Sequence, residues 1–140
     1  MRITRQDMFT DIIKVLAQRS TCDTKRVGAL LTRDNRIIST GYNGPPRGAP
    51  HCDEVGCQKD SEGACIRTVH AEANVIAFAA RYGISSEGTT LYTTTAPCFT
   101  CAKLIINAGI IEVCYIEEYR LKEGIEVLRE NGIEVGRLKI

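Results

Sequence analysis

Thr89-Thr-Leu-Tyr-Thr-Thr94, followed almost at once by Ala96-Pro97-Cys98-Phe-Thr-Cys101, is the stretch that decides how this chain folds. Residues 89–94 are rich in β-branched and aromatic side chains and read as a strand. Pro97 suits the first position of a helix, and Gly109 suits its end. Downstream, residues 111–116 read as another strand, 120–131 as a helix and 133–138 as a last strand, with Asn131-Gly132 between the final two. The last three elements form a β-α-β unit, so their strands should run parallel.

Upstream, Phe9, Ile12, Ile13, Leu16 and Ala17 recur at helical spacing among polar neighbours, which predicts an amphipathic helix over residues 4–19. Residues 27–32 and 36–42 flank the turn Arg33-Asp34-Asn35 and read as a β-hairpin. From Thr68, a candidate N-cap, a helical pattern with Ala73, Ile76, Ala77 and Ala80 on one face runs to Gly83. Between hairpin and helix, residues 43–67 break all periodicity and hold three of the four prolines with Cys52, Cys57 and Cys65. A loop this long is usually functional or disordered, and its cysteines favour function. The elements together predict an α/β domain of three layers, α/β/α, around a five-stranded mixed sheet.

At 140 residues the chain is read as one domain, residues 1–140, able to bury roughly two-thirds of its unfolded surface. Hydrophobic residues make up 44% and charged residues 25%, and no apolar run reaches the roughly 18 residues a membrane span needs. The polar N-terminus has no secretory pattern, so a cytoplasmic location is expected. Lys and Arg number 18 against 17 Asp and Glu, a net +1. That balance lacks the basic face of a nucleic-acid binder and points to a small-molecule partner, with no nucleic acid and no membrane. Seven cysteines without a secretory leader argue for metal rather than disulfides.

Cys98 and Cys101, three apart at a helix start, lie on one face and can bind one ion, and the helix N-terminus favours their thiolate forms. His70 and Glu72, two apart, would diverge inside a helix. At a helix start, a metal beyond the end can be reached by His70 while Glu72 reaches a water. The spacing therefore predicts two helix N-termini converging on one zinc. Zinc takes such ligands tetrahedrally, and three of them leave a position for a water whose pKa the metal lowers to about 7. Glu72, not a ligand, is left to carry protons. A lone Cys-x-x-Cys would as readily be half of a structural zinc knuckle, with His70 a satisfied core histidine, but His-Ala-Glu opening one helix and Pro-Cys another argue against that. A thioredoxin-like redox pair leaves His70 and Glu72 unexplained.

Of the other five cysteines, Cys114 alternates within an apolar strand and reads as a small buried hydrophobe. Cys22, Cys52, Cys57 and Cys65 can form a closed four-thiolate zinc site fastening the 43–67 loop, with His51 able to replace one thiolate. Free or redox-active thiols are the alternative.

His-x-Glu with Pro-Cys-x-x-Cys resembles the signature of the zinc deaminases. Further matches are Val27-Gly-Ala29, Gly41-Tyr-Asn-Gly44-Pro-Pro-Arg-Gly48, His51-Cys52, and Ala108-Gly109-Ile110 leading to Tyr119. With these the chain resembles, over nearly its whole length, the deoxycytidylate (dCMP) deaminases of the cytidine deaminase superfamily. The resemblance implies a cytidine-deaminase-like fold and the reaction dCMP + H2O to dUMP + NH3, feeding dTTP synthesis. Water would add at C4 of the cytosine ring; Glu72 would take its proton, deliver it to N3, and later protonate the departing ammonia.

The resemblance also implies oligomers, commonly hexamers, activated by dCTP with Mg2+ and inhibited by dTTP. On the matching positions Asn43 would contact the sugar, Tyr119 the phosphate end and the Ala96 backbone the cytosine edge. Arg26, Arg47 and Arg81 are candidates for phosphate contacts, Arg26 at the substrate and Arg47 and Arg81, with Gly44, at the effector. Family members can use loop histidines for the second zinc; here that stretch offers Cys57 and Cys65 and no histidine but His51, which favours four cysteines. Three readings compete: a dCTP or bifunctional dCMP/dCTP deaminase, a nucleoside, free-base or tRNA adenosine deaminase, and a catalytically silent zinc-stabilised module. Intact Glu72 speaks against the last, and the near-zero net charge against a tRNA partner.

Overall fold

The structure is a computed structural model that describes residues 1–139. Helix α1 (Arg5–Ala17) is capped by Thr4, whose Oγ1 accepts from the Asp7 N–H at 3.0 Å. Strands β1 (Gly28–Arg33) and β2 (Arg36–Tyr42) form the expected hairpin. Its turn residues Asp34 and Asn35 both have positive φ, 52° and 62°. This is the turn whose twist matches two paired strands, and Asp and Asn tolerate it. A short helix, α2 (Cys52–Val55), lies inside the irregular segment, where no helical period is legible in four residues.

Then come α3 (Ala71–Arg81), β3 (Thr90–Thr95), α4 (Phe99–Asn107), β4 (Glu112–Glu117), α5 (Glu123–Glu130) and β5 (Glu134–Arg137). Two helices begin later than their residue types suggest. The N-cap of α3 is His70 rather than Thr68, because Val69 is held extended by paired backbone bonds to Gly44. The N-cap of α4 is Cys98, whose sulfur accepts from the Cys101 N–H at 3.5 Å. Gly109, at φ 81°, ends α4 as expected.

The sheet order is β2-β1-β3-β4-β5. β1 pairs antiparallel with both β2 and β3, whereas β3–β4 and β4–β5 are parallel, which gives the mixed five-stranded sheet. Leu31, Leu91, Val113 and Val135 sit side by side across four strands and face α3, α4 and α5. Leu30, Tyr92 and Cys114 face the other way, beneath Phe9 and Ile13 of α1. Those two cores make three layers, α1 over the sheet and α3, α4 and α5 under it. Cys114 is 6% exposed in the α1 core, and burial pushes its thiol up to about 12, as suits a small hydrophobe. Among the described residues no helix is long and apolar enough to cross a membrane.

Candidate active site

The parallel strands β3 and β4 deliver their carboxyl ends to the same edge of the molecule, the edge at which open α/β sheets place their ligands. Thr95 leads there into Ala96-Pro97-Cys98, and Glu117 into Glu118-Tyr119-Arg120. On the same face of the sheet as α4, α3 brings its N-terminus to the same place. The His70 Nδ1 lies 3.3 Å from the Cys101 Sγ and 3.5 Å from the Cys98 Sγ. Sulfur and imidazole nitrogen at ordinary bond lengths from a tetrahedral zinc stand about 3.6 Å apart. The donor set and its spacing therefore fit a zinc ion held by three protein ligands. Burial of the cluster does not keep it protonated throughout. A hydrogen bond from the Cys101 thiol, aided by His70 and opposed by burial, holds Cys98 down to about 4. A thiolate already favoured without a cation is a ligand ready for one.

Glu72, in the first turn of α3, is 5% exposed and lines the same cleft as His70 and Cys98. Burial raises its carboxyl to about 7, against its own backbone N–H and the nearby His70. Such a group can both accept and release a proton near neutrality. The cleft has a volume of about 330 Å³, at the small end of the usual range for ligand sites.

The structure brings some of the other sequence-expected residues to this cleft and leaves others outside it. Asn43 lines it, 5% exposed, with Oδ1 accepting from the Val27 N–H at 2.8 Å and Nδ2 donating to the Lys25 carbonyl at 2.7 Å. One N–H and one lone pair of that amide stay free. Ala96 lines it too; its N–H is engaged by the Glu117 carbonyl at 2.8 Å, which leaves its own carbonyl for a ligand. Tyr119 is at the mouth. Arg26 is exposed outside the cleft lining, its Nε 3.5 Å from the Cys22 carbonyl. Gly44 is buried in its bridge to Val69. Arg47 and Arg81 meet elsewhere, at Tyr82, where a hydrogen bond from Arg47 and then the charges of both hold the phenol below its ordinary pKa.

Sequence reasoning missed Lys25, Glu62 and Arg120, all of which line the cleft. Lys25 pairs with Glu117 at 3.1 Å and Arg120 with Glu62 at 3.4 Å. The only available signal was the proximity of Lys25 to Arg26 and of Arg120 to Tyr119.

A second cluster is built into the cleft wall, which Cys22 and Cys65 help to line. Cys22, Cys52, Cys57 and Cys65 bring their sulfurs within 4.8 Å of one another, with Cys22–Cys57 at 3.5 Å and Cys52–Cys65 at 3.7 Å. Two thiolates on one tetrahedral zinc stand about 3.8 Å apart, so four sulfurs at this spacing fit a closed site. His51 lies beside the cluster with its Nδ1 3.1 Å from the Thr21 Oγ1, and is not one of the four converging groups. Although burial opposes it, the Arg67 backbone N–H and the Cys57 thiol draw Cys65 down to about 7.

A buried carboxylate in one cleft with a cluster of three nitrogen and sulfur donors defines a metal-dependent hydrolase. The family model of the cytidine and deoxycytidylate deaminase zinc-binding region matches residues 3–117, and the chain belongs to this family of zinc-dependent deaminases. It is 38% identical to the ComE operon protein 2 of Bacillus subtilis, over 99% of this chain and 74% of that protein. It is 35% identical to the deoxycytidylate deaminase of Enterobacteria phage T2, over 89% and 87%. The deoxycytidylate deaminase of Saccharomyces cerevisiae is 37% identical over 96% of this chain, which spans only 45% of that enzyme's length. Among solved structures, dCMP deaminase from the cyanophage S-TIM5 in complex with dCMP and dUMP is similar with a TM-score of 0.86. Its identity is 31% over 98% of each chain.

Proposed function

We propose that residues 1–140 form a single deaminase domain that converts dCMP and water to dUMP and ammonia, supplying dUMP for dTTP synthesis. The observation that carries this reading is that buried Glu72 shares one cleft with His70 and Cys98, which converge with Cys101 on a three-donor cluster. The names of the phage and yeast relatives, and the dCMP in the cyanophage structure, support the choice of nucleotide.

His70, Cys98 and Cys101 hold the catalytic zinc, which when bound acidifies a water and polarises the reacting centre. Glu72 takes one proton from the attacking water and passes it to N3 of the cytosine ring as the oxygen adds at C4. It then takes the remaining hydroxyl proton and gives it to the amino group, so that the C4–N bond breaks, the C4 carbonyl forms and ammonia leaves. A carboxyl poised near neutrality suits both tasks. The Ala96 carbonyl accepts from the ring amino group, Asn43 holds the sugar with its free amide valences, and Tyr119 covers the phosphate end, with Arg26 standing outside the cleft lining. Burial of the ring against Val27 and Ala71 excludes bulk water from the reacting atoms.

Cys22, Cys52, Cys57 and Cys65 hold a second, structural zinc that fastens the 43–67 segment. Gly44, Arg47 and Arg81 belong to an effector site where dCTP with Mg2+ activates and dTTP inhibits. The three arginine and tyrosine side chains that gather at Tyr82 supply the charge and the ring such a nucleotide needs. The assembly is a homo-oligomer, a hexamer in this reading, working in the cytoplasm without a nucleic-acid partner.

The test is ammonia release by zinc-loaded protein from dCMP, dCTP, deoxycytidine, cytosine and adenosine, each with and without dCTP–Mg2+ and dTTP. Turnover of dCMP, raised by dCTP and lowered by dTTP, is the expected outcome. Deamination of none of them by metal-replete protein overturns the enzymatic reading in favour of a silent zinc module.

A further inference from the structure

The cleft has a direction. Of its lining residues Glu72 is buried beside His70 and Cys98, whereas Lys25, Glu62, Glu118 and Arg120 are exposed at its rim, with Tyr119 half-buried among them. A ring that reacts beside Glu72 must send whatever it carries toward that rim. The two cations waiting there are not free. Lys25 is paired with Glu117, and Arg120 with Glu62. Glu118, which accepts from the Tyr115 hydroxyl at 2.9 Å and pairs with Arg137 at 3.8 Å, adds a third carboxylate. Each of these cations therefore already faces a carboxylate of its own.

The backbone that carries Glu62 is fixed, while its side chain is exposed. Glu62 sits at the tip of a short hairpin closed by the Lys59–Cys65 bridge. The Asp60 Oδ1 accepts from the N–H groups of Glu62 and Ala64, at 2.9 and 3.0 Å. Cys65 belongs to the four-sulfur cluster, so the hairpin is anchored at its base and its tip forms part of the cleft wall.

We propose that Glu62, acting through Arg120, is the residue that makes this cleft select one phosphate over three. Resting on the dCMP reading above, the assignment works by ion exchange. A monophosphate takes the Arg120 guanidinium from Glu62 and fits the two available cations. A triphosphate brings about two more negative charges to a mouth that already carries the Glu62, Glu117 and Glu118 carboxylates, and like-charge contact rejects it. Lys25 and Arg120 attract, and Glu62 sets how much negative charge is tolerated.

The test compares wild type, Glu62→Gln and Arg120→Gln as zinc-loaded protein. It measures kcat/KM for dCMP, dCTP and deoxycytidine and, by calorimetry, affinities for the products dUMP and deoxyuridine. In Glu62→Gln the dCTP-to-dCMP ratio of kcat/KM should rise about two- to fivefold, the size of one exposed charge contact. In Arg120→Gln the preference for dUMP over deoxyuridine should fall by a similar factor, in binding as well as in KM. An unchanged dCTP-to-dCMP ratio in Glu62→Gln overturns the assignment, whatever Arg120→Gln does. Wild-type protein that neither turns over dCMP nor binds dUMP refutes the dCMP reading itself, a different result from selective turnover with unmoved ratios.

Discussion

Gly124, in the first turn of α5, lies directly against the Pro97 carbonyl, so that a Cβ at position 124 would run into that oxygen and come within 2.9 Å of the Cys98 carbonyl carbon. Helix α5 thus supports, from outside, the loop that presents Cys98. Gly124→Ala should cost about 1–3 kcal/mol by overpacking, because backbone on both sides leaves little room to yield. Its effect on the site should exceed its effect on stability. Activity and bound zinc should both fall in protein that still unfolds cooperatively, read from thermal unfolding beside metal content and turnover.

Asn43 joins two backbone strangers. Its side chain takes up the Val27 N–H and the Lys25 carbonyl, and Asn43→Ala leaves both without that partner. A loss of about 2–3 kcal/mol is expected, from urea midpoints at unchanged slope. Catalysis should suffer as well, since Lys25 and Val27 are themselves part of the cleft lining.

The four-sulfur cluster predicts a metal count. Cys52→Ser or Cys65→Ser should lower bound zinc from two per chain to one and reduce Tm by about 10 °C, the scale of a structural ion in a chain this size. Cys114→Ser should keep two, since Cys114 packs in the α1 core away from both clusters. One zinc per wild-type chain, measured by elemental analysis, would remove the second site.

What could be read beforehand follows from the physics of each signal. The parallel half of the sheet was legible because strand, helix and strand over 111–138 admit only a crossover. The pairing of His70 with Cys98 and Cys101 was legible because chemistry, not periodicity, links them. The N-cap at His70 was not, since the bridge that keeps Val69 extended is made with Gly44, far away in sequence. Lys25 and Arg26 show the limit at single residues. In an extended segment neighbours face opposite ways, so the cation that reaches the cleft and the one that turns to the Cys22 carbonyl are adjacent. Glu62 and Arg120 lie in irregular segments with no period to place them. Only the folded hairpin above the cysteine cluster brings one beside the other.

The central claim is that Glu72 carries protons without holding the metal. Its most direct test is Glu72→Ala, assayed for zinc content and for dCMP turnover on the same preparation. Wild-type zinc content with turnover reduced about 10³-fold or more is the expected result. Loss of the zinc bound by His70, Cys98 and Cys101, or turnover near that of wild type, would contradict it.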